Sequence, residues 1–275
     1  MKNLIFTKNL IYKKYFIDSR DIKDNSVFIC IKGKNNDGHK FINYALKNFK
    51  KTIVICEKNS HYVKKYKNNK RVLLCDSTRK FIKNLAKIKR LVLNHSFFIG
   101  ITGSSGKTSL KEILYNTLKR YEITYRSQKS FNNEIGLPFT LINQKKISKF
   151  NIYELGMNKL GEIDNLSKIL KPNIGIITNI GEAHLGKLGS VNNIAKAKSE
   201  IIKNITQKGV IILNKDCKFF QKLKNISICN KIKILSFGYD AKATISYKLL
   251  KSDQVQIKLR NKYFKLKLSN SNLNN

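Results

Sequence analysis

The run Gly100-Ile-Thr-Gly-Ser-Ser-Gly-Lys-Thr-Ser109 constrains this chain more than any other feature. It follows an apolar stretch, Leu91 to Ile99, and opens an amphipathic one, Lys107 to Tyr121. Apolar positions Leu110, Ile113, Leu114, Leu118 and Tyr121 recur at helical spacing, so the pattern predicts a strand, a glycine loop and a helix in that order. Such a junction aims unpaired backbone N–H groups and the positive end of the helix dipole at one spot, which suits a phosphate chain. Lys107 then reaches the outer phosphates and Thr108 offers a hydroxyl to Mg2+. The string departs from the spacing GxxxxGK[ST], because residue 101 is Ile and the glycines stand at 100, 103 and 106. The expectation is a nucleoside triphosphate site built from Gly103, Ser104, Ser105, Gly106, Lys107, Thr108 and Ser109.

A chain of 275 residues with 41% hydrophobic content is long enough for two domains with cores of their own. The formal net charge of +38 admits a nucleic-acid partner. The lysines, however, are spread along the whole length among many Asn and Ile, with no Arg-rich block. A solvated basic surface suited to anionic substrates is therefore expected, with no nucleic-acid partner; a basic P-loop ATPase acting on nucleic acid stands as the alternative. Cys30, Cys56, Cys75, Cys217 and Cys229 are odd in number and lack CxxC spacing, which reads as buried thiols in a reducing compartment. The N-terminus MKNLIFTKNLIYKK is interrupted by charge too often for a signal-peptide core, and no run approaches the ~18 apolar residues of a membrane span. A cytoplasmic protein without membrane insertion is expected.

Residues 1–90 alternate short β-rich runs (Ser26 to Ile31, Thr52 to Cys56, Val72 to Cys75) with turns and a helical piece near Phe41 to Phe49, and read as a small α/β domain. The helix Arg79 to Arg90 leads into residues 91–275, where strands and helices alternate. They are Leu91 to Ile101 then the first helix, Lys149 to Glu154 then Glu162 to Leu170, Asn173 to Ile180 then Val191 to Ile205, and strand Gly209 to Asn214. That alternation predicts parallel crossovers and a mostly parallel, doubly wound sheet. The tail from about 232 turns to β-like alternation (Lys231 to Phe237, Thr244 to Leu250, Val255 to Leu259, Tyr263 to Leu268), predicting an antiparallel β appendage before a frayed Asn/Ser end.

In a doubly wound sheet, ligands bind beyond the carboxyl ends of the strands. Glu154, in Tyr-Glu-Leu-Gly-Met-Asn, leaves an apolar strand there and either binds the triphosphate's Mg2+ or caps the turn. Asn179 and His184 follow the next strand, in Thr-Asn-Ile-Gly-Glu-Ala-His-Leu-Gly. His184 is either a metal ligand or a satisfied loop histidine, and the nearby Glu182 reads as solvent-facing. Lys198, in Ile-Ala-Lys-Ala-Lys-Ser-Glu-Ile, lies on the helix after His184 and is one lysine among many. The string Ser-Phe-Asn-Asn-Glu-Ile-Gly-Leu-Pro (130–138) reads as a fixed loop whose Asn132 and Asn133 contact a polar substrate, or as a helix entry capped by Asn132.

Taken in order and spacing, GITGSSGKTS, FNNEIGLP, ELGMNKLGEI, PNIGIITNIGEAHLGKLGS and IAKAKSEI resemble the Mur ligases of peptidoglycan synthesis, and FNNEIGLP with NIGEAHLG favours the dipeptide-adding branch. Asp18-Ser-Arg20 and Asp37-Gly-His-Lys-Phe41 look like the UDP-binding domain of that family. The resemblance implies a UDP-sugar substrate-binding domain over 1–90 and a central ATP-binding domain over 91–275. It implies an ATP-dependent ligase that joins D-alanyl-D-alanine to UDP-N-acetylmuramoyl-tripeptide through an acyl phosphate. It also implies Lys107 on the β/γ-phosphates, Thr108 and Glu154 on one Mg2+, His184 on a second, and Asn179 near the nucleotide. Lys198 is then the lysine that the family carbamoylates, and Ser19 and Arg20 face the uridine diphosphate.

Members of the family continue into a C-terminal Rossmann-like domain, whereas this sequence stops at Asn275 before the expected glycine-histidine-asparagine segment. The resemblance thus implies a fragment, a split-gene half completed by a separate chain, or a catalytically incomplete remnant that still binds ATP and UDP.

Overall fold

A computed structural model describes residues 12–128, 131–144, 147–251 and 253–267. The start of the N-terminal stretch, Ser130 of the Asn-Asn string, Leu268 and the Asn/Ser end lie outside the described residues. The chain divides into two compact units. One comprises the chain up to Asn94 together with Ile135–Ile147, and the other comprises His95–Glu134 with Ser148 onward. The segment after Glu134 thus packs with the first unit, although its place in the sequence puts it in the middle of the second.

The first unit is a four-stranded, all-parallel sheet in the order β1 (Tyr15–Phe16), β2 (Val27–Ile29), β3 (Ile53–Glu57), β4 (Val72–Cys75). The interior of a parallel sheet is covered on both faces, so its strands are continuous apolar runs; every residue of β2 is buried. Phe28, Val54 and Val72 pack with Ile42, Ala45 and Leu46 of α1 (Ile42–Asn48). Helix α2 (Thr78–Val92) begins where the Ser77 hydroxyl accepts from the Lys80 N–H, and buries Ile82, Leu85, Ala86 and Lys89 along one face. It packs against α4 (Gly136–Ile142). Just beyond α4, the Asn143 side-chain amide accepts from Tyr15 N–H at 2.9 Å and donates to Tyr15 C=O at 3.2 Å. It thereby pairs with both main-chain polar groups of Tyr15 on strand β1, the end of the sheet among the described residues.

The second unit is one nine-stranded sheet in the order β13-β12-β11-β10-β9-β8-β5-β7-β6. Its strands are β5 (Phe97–Thr102), β6 (Thr124–Arg126), β7 (Phe150–Glu154), β8 (Ile174–Ile177), β9 (Val210–Asn214), β10 (Lys233–Gly238), β11 (Ile245–Lys251), β12 (Gln254–Leu259) and β13 (Lys262–Lys267). Pairing is parallel from β6 to β11 and antiparallel only across β11-β12-β13. Strand order reverses at β5, which makes the sheet doubly wound with its switch point there. Side chains alternate across a strand. Ile99 and Ile101 meet α3 (Lys107–Leu118) through Leu110, Leu114 and Leu118. On the opposite face, a Cβ on Gly100 would lie 3.2 Å from Ile201 and 3.3 Å from Leu170 of α5 (Glu162–Leu170). Burying each such isoleucine contributes about 1.5–3 kcal/mol.

Several expectations change. The strand expected from Leu91 begins at Phe97, because Leu91 and Val92 prolong α2 and lie 65% and 42% exposed. The helical run from Val191 is α-helical only to Ser199 (α7, with α6 the short Leu185–Leu188 turn before it) and tightens to a 3-10 turn over Glu200–Asn204. Strand β10 joins β9 in parallel, so the antiparallel appendage starts one strand later than its alternation suggests. The string 130–138 is not all loop: α4 starts at Gly136, with Pro138 in a first turn whose N–H groups need no helical partner. Strand β6 and helix α8 (Phe220–Cys229) escape the sequence reading altogether. Cys30 and Cys56 are buried as expected, but Cys229 is exposed. Among the described residues no helix is long and apolar enough to cross a membrane.

The Asn143 bridge is testable. Asn143→Ala removes both bonds to β1 and is expected to lower stability by about 1–3 kcal/mol, with loss of hydrogen-exchange protection at the Tyr15 amide. Unchanged protection there would show that the amide does not hold the edge.

Candidate active site

The glycine loop runs from the end of β5 to the first turn of α3. Gly106 precedes that helix in the left-handed region, φ +75°, where nothing lies within 4 Å of a notional Cβ. Gly103 is the tighter constraint. A Cβ there would sit 1.8 Å from Thr178 Oγ1, so only glycine lets the loop lie against the end of β8. Thr178 Oγ1 donates to Ser105 C=O at 2.7 Å, and Asn179 Oδ1 accepts from the N–H groups of Ser104 and Ser105 at 3.0 and 2.9 Å. Ser104 Oγ closes the far side, donating to Gly181 C=O and accepting from Gly181 N–H. The loop is thus cross-braced by the segment after β8. Lys107 folds back, its Nζ donating to Gly103 C=O at 2.9 Å.

Glu154 ends β7 and is 3% exposed. Register places it opposite Ile101, two residues before Gly103. Its Oε2 accepts from Thr108 Oγ1 at 2.8 Å, and its Oε1 accepts from Asn132 Nδ2 at 2.9 Å. Asn132 is therefore not a helix cap, since α4 begins after Ile135. Asn133 is exposed beside it, and Ser109 is exposed on the first turn of α3.

His184 opens α6 with φ +69° and is exposed. Partial desolvation, then the charges of Lys198, Lys107 and Lys187, push its pKa below the ordinary 6.5, so the neutral imidazole prevails. Glu182 is exposed, as the sequence suggests. Lys198 on α7 is 2% exposed. Burial, reinforced by the charge of Lys107, lowers its pKa from 10.5 to about 7. A buried lysine so placed exists largely as the free amine at the upper end of the physiological range. Ser19 and Arg20 belong to the first unit, in a 3-10 turn after β1, where Arg20 pairs with Asp18 at 2.6 Å.

One residue absent from the sequence reading organises this region. Glu200 accepts from the N–H groups of Gly161 and Asp164 at 2.7 and 3.0 Å, capping α5 from the turn that follows α7. Its partners lie 36 and 39 residues away, so no local pattern announces it. Thr178 and Gly156 were missed for the same reason; each is identified by what it touches.

Two oxygens, Thr108 Oγ1 and Glu154 Oε2, converge beside the loop. Hard oxygen donors suit Mg2+, which takes one or two protein oxygens and completes its shell with phosphates and water. Among the described residues no group of three or more His, Cys, Asp or Glu side chains could hold a metal. Around His184 the fit is different, because Lys198, when protonated, opposes a second cation.

Residues 101–273 match the Mur ligase middle domain, and residues 12–90 match the Mur ligase family catalytic domain. The chain belongs to the Mur ligase family. It is 35% identical over 247 residues to the UDP-N-acetylmuramoyl-tripeptide--D-alanyl-D-alanine ligase of Rickettsia prowazekii, covering 88% of this chain and 53% of that one. With the ligase of the same name from Borreliella burgdorferi, identity is 34% over 243 residues, 86% and 52% of the two chains. Among solved structures, the MurF ligase from Thermotoga maritima in complex with ADP superposes with a TM-score of 0.83 at 29% identity, covering 95% of this chain and 59% of that one. MurF from Acinetobacter baumannii gives 0.82 at 29%, covering 94% and 55%. The chain spans about half the length of the curated relatives it matches.

The buried lysine yields a pH prediction. In the unfolded chain its amine regains the ordinary value of 10.5, so between about 7 and 10.5 the unfolded state binds more protons and stability rises with pH. In carbonate-free buffer, denaturation of the unaltered chain is expected to show a steeper rise across that window than Lys198→Met. Parallel curves would overturn the assignment.

Proposed function

We propose that this chain carries the UDP-substrate and ATP sites of a ligase that joins D-alanyl-D-alanine to UDP-N-acetylmuramoyl-tripeptide in cytoplasmic peptidoglycan precursor synthesis. The observation that carries the reading is the Thr108–Glu154 oxygen pair beside a braced glycine loop, with Lys107 folded onto that loop and Lys198 buried within reach of its charge. The likeness to an ADP-bound MurF structure supports placing the nucleotide at that loop.

In this reading the backbone of Gly103 to Ser109 and the Lys107 ammonium hold the β- and γ-phosphates, with Asn179 fixing the loop's shape. Thr108 and Glu154 would hold one Mg2+, which would supply charge neutralisation for the phosphoryl group. A carboxylate oxygen of the tripeptide attacks the γ-phosphorus, the bond to the ADP oxygen breaks, and an acyl phosphate forms. The dipeptide amine then attacks the acyl carbon and phosphate leaves with the bonding pair, while the amine's proton passes to solvent. A carboxylate is a poor electrophile, and phosphorylation gives it the leaving group. Ser19 and Arg20 contact the uridine diphosphate, with the planar Arg20 guanidinium exchanging Asp18 for phosphate oxygens. Asn133, exposed in the same string as Asn132, contacts the muramoyl peptide.

Lys198 fits this chemistry once modified. Its neutral amine attacks CO2, a nitrogen–carbon bond forms and a proton leaves. The side chain becomes a carbamate anion that, with His184, would suit a second Mg2+. Labelled bicarbonate is expected to give a carbamate carbon signal that Lys198→Met abolishes.

Binding is the first readout, because the relatives are about twice as long. Calorimetry of the chain with Mg·ADP and with UDP-N-acetylmuramoyl-tripeptide is expected to show both ligands bound. Lys107→Ala removes a charge-assisted hydrogen bond, worth about 1.5–3 kcal/mol, and should weaken ADP at least about tenfold. Undiminished ADP affinity in that variant would defeat the site assignment. Turnover is measured with and without a separate chain matching the remaining length of the Rickettsia prowazekii relative.

A further inference from the structure

Asn132, an expected substrate contact, already donates its side-chain N–H to Glu154. An ionised carboxylate only accepts hydrogen bonds, so the amide must turn its NH2 toward Glu154, as the 2.9 Å contact from Nδ2 to Oε1 has it. The other oxygen, Oε2, faces Thr108 Oγ1. The backbone C=O of Asn132 accepts from Gly156 N–H at 2.8 Å. A Cβ at Gly156 would fall 2.8 Å from Asn132 Cγ, 2.9 Å from Oδ1 and 3.0 Å from Nδ2. The whole amide group therefore lies on the bare face of Gly156, two residues beyond the carboxylate it holds.

We infer that Asn132 is a positioning residue for Glu154: seated on Gly156, its amide fixes Oε1 so that Oε2 is kept beside Thr108 for the nucleotide's cation. This rests on the reading that Thr108 and Glu154 hold Mg2+. A 3% exposed carboxylate with one oxygen unpaired rotates toward any donor it can find. Fixing Oε1 confines the carboxylate to a single-oxygen grip on the cation. It also explains why a glycine follows Leu155, a position with no positive φ to require one.

The test is calorimetric titration of ADP into the intact chain, in EDTA and over a series of Mg2+ concentrations. In Asn132→Leu, the Mg2+ concentration that half-restores tight ADP binding should rise about 10–100-fold, as for other residues that orient metal ligands. ADP affinity in EDTA should stay that of the unaltered chain. Gly156→Ala should reproduce the shift from the opposite side, and the double variant should be no worse than Asn132→Leu, because both changes remove one interaction. If Asn132→Leu does not fold, Asn132→Asp keeps the side chain's size, sets a carboxylate against Oε1 and should give the same shift. Unchanged Mg2+ dependence, losses that add, or an equal fall in EDTA would overturn the inference while leaving the nucleotide site standing. Failure of the unaltered chain to bind ADP would overturn both.

Discussion

The register of β5 between β7 and β8 is the constraint on which the candidate site depends. Ile101 pairs with Glu154 and Thr102 with Ile177. The chain continues that pairing past the strand ends, with Leu155 N–H donating to Ile101 C=O and Thr178 N–H to Thr102 C=O. Gly103 is thereby delivered against Thr178, and Glu154 to the side of Thr108. A slip of one residue would turn Ile99, Ile101, Ile152 and Ile176 away from α3, so the packing of the core and the geometry of the site are fixed together.

Electrostatics then sets the character of the pocket. Burial first, and then the nearby charge of Lys107, lowers the pKa of Lys198 to about 7. Partial desolvation first, and then the nearby lysine charges, lower the pKa of His184. Glu154 is the buried carboxylate at this edge, held by two uncharged donors, Thr108 and Asn132. Two neutral hydrogen bonds satisfy its oxygens without cancelling its charge, which leaves it attractive to a cation. Glu200, by contrast, spends both oxygens on the N-terminus of α5, tying that helix to the turn after Lys198.

Much of the fold is legible in the sequence because its signals are local. Helix α5 matches its expected span, Glu162 to Leu170, where acidic residues stand in the first turn and a basic one in the last. The strands β3, β4, β7 and β9 lie within a residue or two of their apolar runs. Strand β6 has only three half-buried residues and no apolar run to mark it. Leu91 and Val92 misled because an exposed apolar helix end looks like the beginning of a strand. Of the site, the glycine loop, Thr108, Glu154 and Asn179 come together as their places after successive strands suggest. Asn132 also donates to Glu154, a pairing that its place in the string does not announce.

The sequence by itself determined the strand, loop and helix around Lys107, the parallel winding of the strands and the need for glycine in the loop. All of these follow from periodicity and backbone freedom over a few residues. Tertiary structure alone decided that Asn132 serves Glu154, that Glu200 caps α5, that Lys198 loses its water, and that residues 135–147 pack with the first unit. Those outcomes depend on groups brought together from 22 to 46 residues apart or more, and on desolvation, which no single stretch of chain can report.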